Sequence, residues 1–285
     1  MPQEKKRRLS LRDFFAKVRR KTGTIKTEGL IVAGQFFFGL RNAWLYRFHK
    51  KNSIRRFFIL CQQRTGSSLL MTYLNSIPQV SCAAEVLSRI EPHGIRRWWI
   101  SKKIIFRHVR YVLNYRCQEV QGAKIFFVDL AALKLPLEEF IREFPEAQWI
   151  VLYRKDILAQ LLSKKIALQT DTWSRYENSS PVPDIQITLR TDEALKYRDW
   201  VKTCYQTALE NPFLRKQSLW ISYEELVKNP QALFDGKIFP FLKLAKHPVQ
   251  TALIKQNLRS PSEVIANYHE VRDVIEHTDF TQTYP

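Results

Sequence analysis

One stretch constrains this chain more than any other: Arg56-Phe57-Phe58-Ile59-Leu60-Cys61-Gln62-Gln63-Arg64-Thr65-Gly66-Ser67-Ser68-Leu69-Leu70-Met71. The apolar run Phe57 to Cys61, bounded by charge, predicts a buried strand. A polar tip from Gln62 to Ser67 follows, and Ser68-Leu69-Leu70-Met71-Thr72-Tyr73-Leu74 takes up helical spacing. Strand, tight loop and helix in that order turn several backbone N–H groups outward at the positive end of a helix. Such a corner binds a phosphate or sulfate without help from a metal.

The loop differs from the ordinary nucleotide-triphosphate loop, which ends Gly-Lys-Ser/Thr. Here Gly66 is followed by Ser67, so the lysine that grips the outer phosphates is missing, and a cation sits earlier, at Arg64. A plain strand–turn–helix corner with a solvated arginine is the simpler reading of the same residues. Further along, Lys124-Ile125-Phe126-Phe127-Val128, Gln148 to Tyr153 and Ser218 to Ser222 read as strands, and Val80 to Ala83 as a short one leading to Glu85. Residues 94–121, Leu137 to Phe144, the segment capped by Asp156 and residues 191–209 read as helices, and residues 171–190 as a surface loop over a site. Strands alternating with helices predict an α/β chain with a mostly parallel sheet. Ligands of such sheets bind outside the carboxyl ends of the strands. Two of the predicted strands end there in arginine-bearing turns, at Arg64 and Arg154, so one anionic ligand can touch both.

The string Gln63-Arg64-Thr65-Gly66-Ser67-Ser68-Leu69-Leu70 resembles the 5′-phosphosulfate loop of sulfotransferases that use 3′-phosphoadenosine 5′-phosphosulfate (PAPS). The segment Leu152 to Ser163 resembles their 3′-phosphate-binding segment, in which an arginine at a strand end and a serine about two helical turns later hold that phosphate. Arginine to serine is commonly eight residues in the family; here Arg154 to Ser163 is nine, and Lys155 stands at the eight-residue spacing. Which of the two cations grips the phosphate is open at this point, and Ser163 bonding its own helix backbone is the plainer alternative. Ala167 to Trp173 is similar to the bacterial carbohydrate sulfotransferases that act on trehalose or nodulation factors. Ile221 to Pro230 resembles the Tyr-Glu-Asp/Glu-Leu block of the superfamily, and Asn267 to Val271 a late block of bacterial members.

The resemblance covers Phe57 to Phe280 and implies a P-loop-like three-layer α/β/α fold. It implies PAPS as co-substrate, adenosine 3′,5′-bisphosphate as product, no metal, and a carbohydrate or glycolipid acceptor. Arg64, Thr65, Gly66, Ser67 and Ser68 would hold the phosphosulfate, and Arg154 and Ser163 the 3′-phosphate. Arg64 would also neutralise charge building on the bridging oxygen. Several members carry a glutamate near Glu85 that acts as base; a surface glutamate capping a helix is the plain alternative, and His93 and His108 are the other candidates.

Charge adds a second theme. The formal net charge is +19, and thirteen of the nineteen excess charges fall in residues 1–56. Residues 1–52 read as a basic, aromatic-rich N-terminal arm and residues 53–285 as the sulfotransferase domain. Leu11, Phe14, Phe15 and Val18 share one helical face among Arg12, Lys17, Arg19 and Arg20, a pattern that suits an anionic membrane surface, so residues 5–48 are the expected contact. A basic tail packed on the domain fits the pattern equally. The four cysteines show neither disulfide-framework nor metal spacing, no signal peptide is visible, and Leu30 to Leu40 is too short to span a bilayer. A cytoplasmic location, peripheral to the membrane, is expected. The rival readings are a P-loop-type kinase or NTPase, and a nonenzymatic nucleic-acid or anionic-membrane binder. No zinc-finger or RRM signature supports nucleic acid, and none is expected as a partner.

Overall fold

The computed structural model describes residues 54–88, 101–114, 118–177, 184–254 and 259–285. The expected arm of residues 1–52, with its amphipathic helix, and the candidate His93 lie outside the described residues. The described strands are β1 (Arg55–Cys61), β2 (Val80–Glu85), β3 (Val120–Phe126), β4 (Gln148–Tyr153) and β5 (Ser218–Ser222). They form one sheet in the order β2-β3-β1-β4-β5, and every neighbouring pair is parallel.

Period-two side-chain alternation explains why β1 is a continuous apolar run: both of its faces are covered, as parallel sheets require. Phe57, Ile59 and Cys61 pack with Leu70 and Leu74 of α1 (Ser67–Asn75). Phe58 and Leu60 pack on the other face, among residues of α2 (Lys102–Asn114), α3 (Phe127–Ala132), α4 (Leu137–Glu143), α5 (Ile157–Thr170) and α6 (Thr191–Glu210). The short helices α7 (Pro212–Gln217) and α8 (Tyr223–Lys228) flank β5. Phe58 sits in a cage of Phe140, Phe144 and Trp149, each ring centroid within 5.1 Å of its own. The result is the expected P-loop-like three-layer arrangement. No helix among the described residues is long and apolar enough to cross a membrane.

Two expectations need correction. The strand expected at Lys124–Val128 is Val120–Phe126, and Phe127 and Val128 open α3 instead. The helix expected over residues 94–121 is described as Lys102–Asn114, with β3 already under way at Val120. Polar Gln121 and Lys124 hid the strand, since both are buried within it. Gly122 is a requirement of packing: a Cβ there would lie 2.2–2.4 Å from the outer ring carbons of Phe57, its partner on β1. Glu85, expected just beyond β2, is its last residue.

Candidate active site

β1 and β4 lie side by side, yet the chain leaves β1 toward β2 on one flank and β4 toward β5 on the other. That divergence opens a crevice at their carboxyl ends, the place where such sheets bind ligands. A cavity of about 1090 Å³ occupies it. Arg64, Gly66, Ser67, Ser68, Glu85, Arg154 and Ser163 all line it.

The loop after β1 is shaped by two left-handed residues, Arg64 at φ 66° and Gly66 at φ 82°. Gly66 is the N-cap of α1, with no side chain capping the first-turn N–H groups and no acid in that turn. Those donors are the orphan groups that attract an anion. Glycine is required twice over, because a Cβ on Gly66 would also stand 2.5 Å from Cδ2 of Tyr223. Thr65 differs from the other predicted residues: its side chain is buried, and its hydroxyl donates to the Gln62 carbonyl at 2.9 Å. Its contribution to a ligand is therefore a backbone one.

Arg64 donates from Nε to the Ser163 hydroxyl at 3.0 Å and from Nη1 to the Trp173 carbonyl. Two residues predicted for opposite ends of one nucleotide thus meet. Burial, with Arg154 close by, pushes the Arg64 guanidinium down to about 10. Arg154 stacks over the Tyr223 ring at 4.8 Å and reaches the Arg64 carbonyl at 3.5 Å. Its Nε is buried without a hydrogen-bond partner. Lys155 does not line the cavity, and its backbone N–H is held by Glu224 at 3.0 Å. Asp156 caps α5 through the Ala159 N–H, so the helix begins after the Arg154–Lys155 pair and Arg154 is the residue facing the crevice. Half-buried arginines held near one another suit a phosphate-bearing ligand, whose charge offsets both.

On the far side of the loop stands Lys124, which the sequence did not single out. It is 2% exposed, with Nζ 3.2 Å from the Ser68 hydroxyl and 3.5 Å from Glu85 Oε1. A β-bulge makes the meeting: β2 and β3 are in register at Ala83 and Ala123, and the next pair is Glu85 with Lys124. One extra residue, Ala84, turns Glu85 onto the lysine. The thiols of Cys61 and Cys82 close by are pushed up to about 12 by burial and stay protonated. His108, the other described base candidate, belongs to α2 and does not line the cavity.

Supports behind the cavity also escaped the sequence reading. The Tyr205 hydroxyl accepts from the Gln62 N–H at 3.1 Å and donates to the Leu152 carbonyl at 2.7 Å, tying the β1 loop to the end of β4. Gln160 donates to the Gln63 carbonyl at 2.7 Å. The turn carrying Arg154 is held by Phe280 and Gln282, through Ile157 N–H to Phe280 O at 2.9 Å and Gln282 Nε2 to Arg154 O at 2.7 Å. Asn267 pairs both ways with the Leu189 backbone, a packing role for the late block.

A model of the Sulfotransferase family matches residues 56–248. Nodulation protein H of Rhizobium meliloti is 25% identical over 234 residues, covering 76% of this chain and 90% of its own length. Its counterpart from Rhizobium meliloti strain 1021 is 26% identical over 238 residues, covering 76% and 89%. The solved structure of a sulfotransferase from Alicyclobacillus acidocaldarius aligns with TM-score 0.48 at 15% identity, over 79% of this chain and 92% of that one. The kinase, NTPase and nonenzymatic readings give way to a family match that spans more than half of the sequence. The chain belongs to the sulfotransferase family.

Proposed function

We propose that the enzyme transfers the sulfuryl group of PAPS to a hydroxyl of a carbohydrate or glycolipid, with Glu85 as the base. The observation that carries the reading is the crevice itself. An uncapped helix N-terminus, two half-buried arginines and Glu85, which is paired with the buried Lys124, meet at one cavity. The chemistry of these donors fits the doubly phosphorylated donor, and the buried Arg154 Nε without a partner asks for an acceptor of that kind. When bound, PAPS supplies an activated sulfuryl group whose transfer to the acceptor oxygen releases adenosine 3′,5′-bisphosphate.

The chain's residues divide the work. Backbone N–H groups of Thr65 to Ser68, with the hydroxyls of Ser67 and Ser68, hold the phosphosulfate oxygens. Arg64 offsets charge developing on the bridging oxygen, a preorganised contact worth roughly 3 kcal/mol. Arg154 and Ser163 hold the 3′-phosphate, and no metal ion is needed among these groups. Glu85 takes the acceptor proton as the new O–S bond forms and the bridging S–O bond breaks.

The arm extends the reading. Residues 5–48 form a basic, aromatic contact with an anionic membrane, which keeps a cytoplasmic enzyme near a lipid-linked acceptor, with nucleic acid playing no part. Radiolabelled PAPS offered with a panel of sugars and glycolipids tests the main assignment. Label should enter a carbohydrate hydroxyl in the wild-type enzyme, and Arg64→Ala should lose on the order of 10²-fold in turnover. A normal rate in that variant would count decisively against the site.

A further inference from the structure

A third arginine reaches the cavity from a different element. Arg175 lies on the segment that follows α5, and it lines the cavity together with Arg64 and Arg154. This segment pairs with residues 252–254. Ile254 N–H donates to the Arg175 carbonyl at 3.0 Å and Glu177 N–H to the Ala252 carbonyl at 3.1 Å, and Tyr176 and Leu253 form an antiparallel bridge. Together the two segments make a short strap.

One side of the strap is fastened to the later turns of α1 and the other to the loop before that helix. The Thr251 hydroxyl lies 2.7 Å from that of Thr72 on α1, and Gln250 N–H donates to the Ser76 hydroxyl at 3.1 Å. On the other side the Trp173 carbonyl accepts from Arg64. The strap therefore spans from the helix whose N-terminus faces the cavity to the arginine of the loop before it.

Charge and burial say what Arg175 is for. Its Nε is buried without a hydrogen-bond partner. A guanidinium in that state has lost water at one donor and gained nothing, a cost recovered when an anion accepts the hydrogen. Arg259 reaches the same lining but is engaged by Asp184, and Lys124 is engaged by Glu85. Each phosphate of the bisphosphate product is a monoester carrying about −1.5 to −2, more than Arg64 and Arg154 together offset.

We propose that Arg175 is a third phosphate-binding residue for the nucleotide, carried to it by the strap. The proposal rests on PAPS being the donor, and the test separates the two. Titration calorimetry on the full chain with adenosine 3′,5′-bisphosphate should show binding weakened roughly tenfold by Arg175→Ala, equivalent to ~1.4 kcal/mol. Arg175→Lys, which keeps the charge, should recover part of that loss. Melting temperatures without nucleotide should stay within about 2 °C of wild type for both variants, since neither loses a partner. If Arg175→Ala does not fold, Arg175→Lys against wild type carries the comparison, with a loss of several-fold expected. A wild-type chain that fails to bind the bisphosphate overturns the donor assignment. Wild-type binding with unchanged affinity in the variants overturns only the role of Arg175. So does a raised acceptor KM with bisphosphate binding intact, which would assign the arginine to the acceptor.

Discussion

The Lys124 ammonium sits in a sheet interior, with the Ser68 hydroxyl on one side and the Glu85 carboxylate on the other. Burying such a charge is costly unless it is paired and hydrogen-bonded, and here both conditions hold. The same ammonium reaches the first turn of α1, where the sulfuryl oxygens are proposed to lie. Lys124→Met should lower kcat on the order of 10²-fold while bisphosphate affinity stays within a few-fold. Glu85→Gln should lower it by about 10²–10⁴-fold with donor KM little changed. Single-turnover transfer of radiolabel measures both, and an unchanged kcat in Lys124→Met would make the lysine a packing residue. Arg154 was legible in the sequence because it closes an apolar run, Arg64 because it stands in the polar loop between a strand and a helix, and Glu85 through the family resemblance. Lys124 was not, because a lysine opening such a run reads as its border. Only the register with Ile59 and the bulge at Ala84 reveal it as interior.

Among elements, legibility followed burial pattern. β1, β4 and β5 show as unbroken apolar stretches, and α5 and α6 by spacing and caps, so their bounds agree closely with expectation. β3 did not, since two of its seven residues are buried polar side chains and a third is Gly122. What holds these elements in mutual register is less visible still. Tyr205, on α6, satisfies a backbone N–H after β1 and a carbonyl on β4 with one hydroxyl. Tyr205→Phe leaves both buried groups without that partner and should cost about 1–3 kcal/mol. A lowered urea midpoint with an unchanged slope would report it. Donor KM should rise with it, because the two loops that bear Arg64 and Arg154 are no longer tied together. Wild-type stability in that variant would mean water replaces the hydroxyl.

At the scale of the whole chain, charge is distributed as unevenly as chemistry. Most of the +19 belongs to residues 1–56, before the first residue of the phosphate loop. If the arm serves a membrane, the full chain should cosediment with anionic liposomes and release in salt, since such attraction is screened within a Debye length. The chain from residue 53 onward should stay in the supernatant, and equal binding by both would remove the arm from the account. The contacts of Phe280 and Gln282 with the turn after β4 bear on the order of events during synthesis. The loop at residues 64–68 leaves the ribosome early, yet the turn that presents Arg154 is not clamped until residue 282 has emerged. The turn that bears Arg154 therefore gains these two contacts only when the late segment packs back beside the sheet.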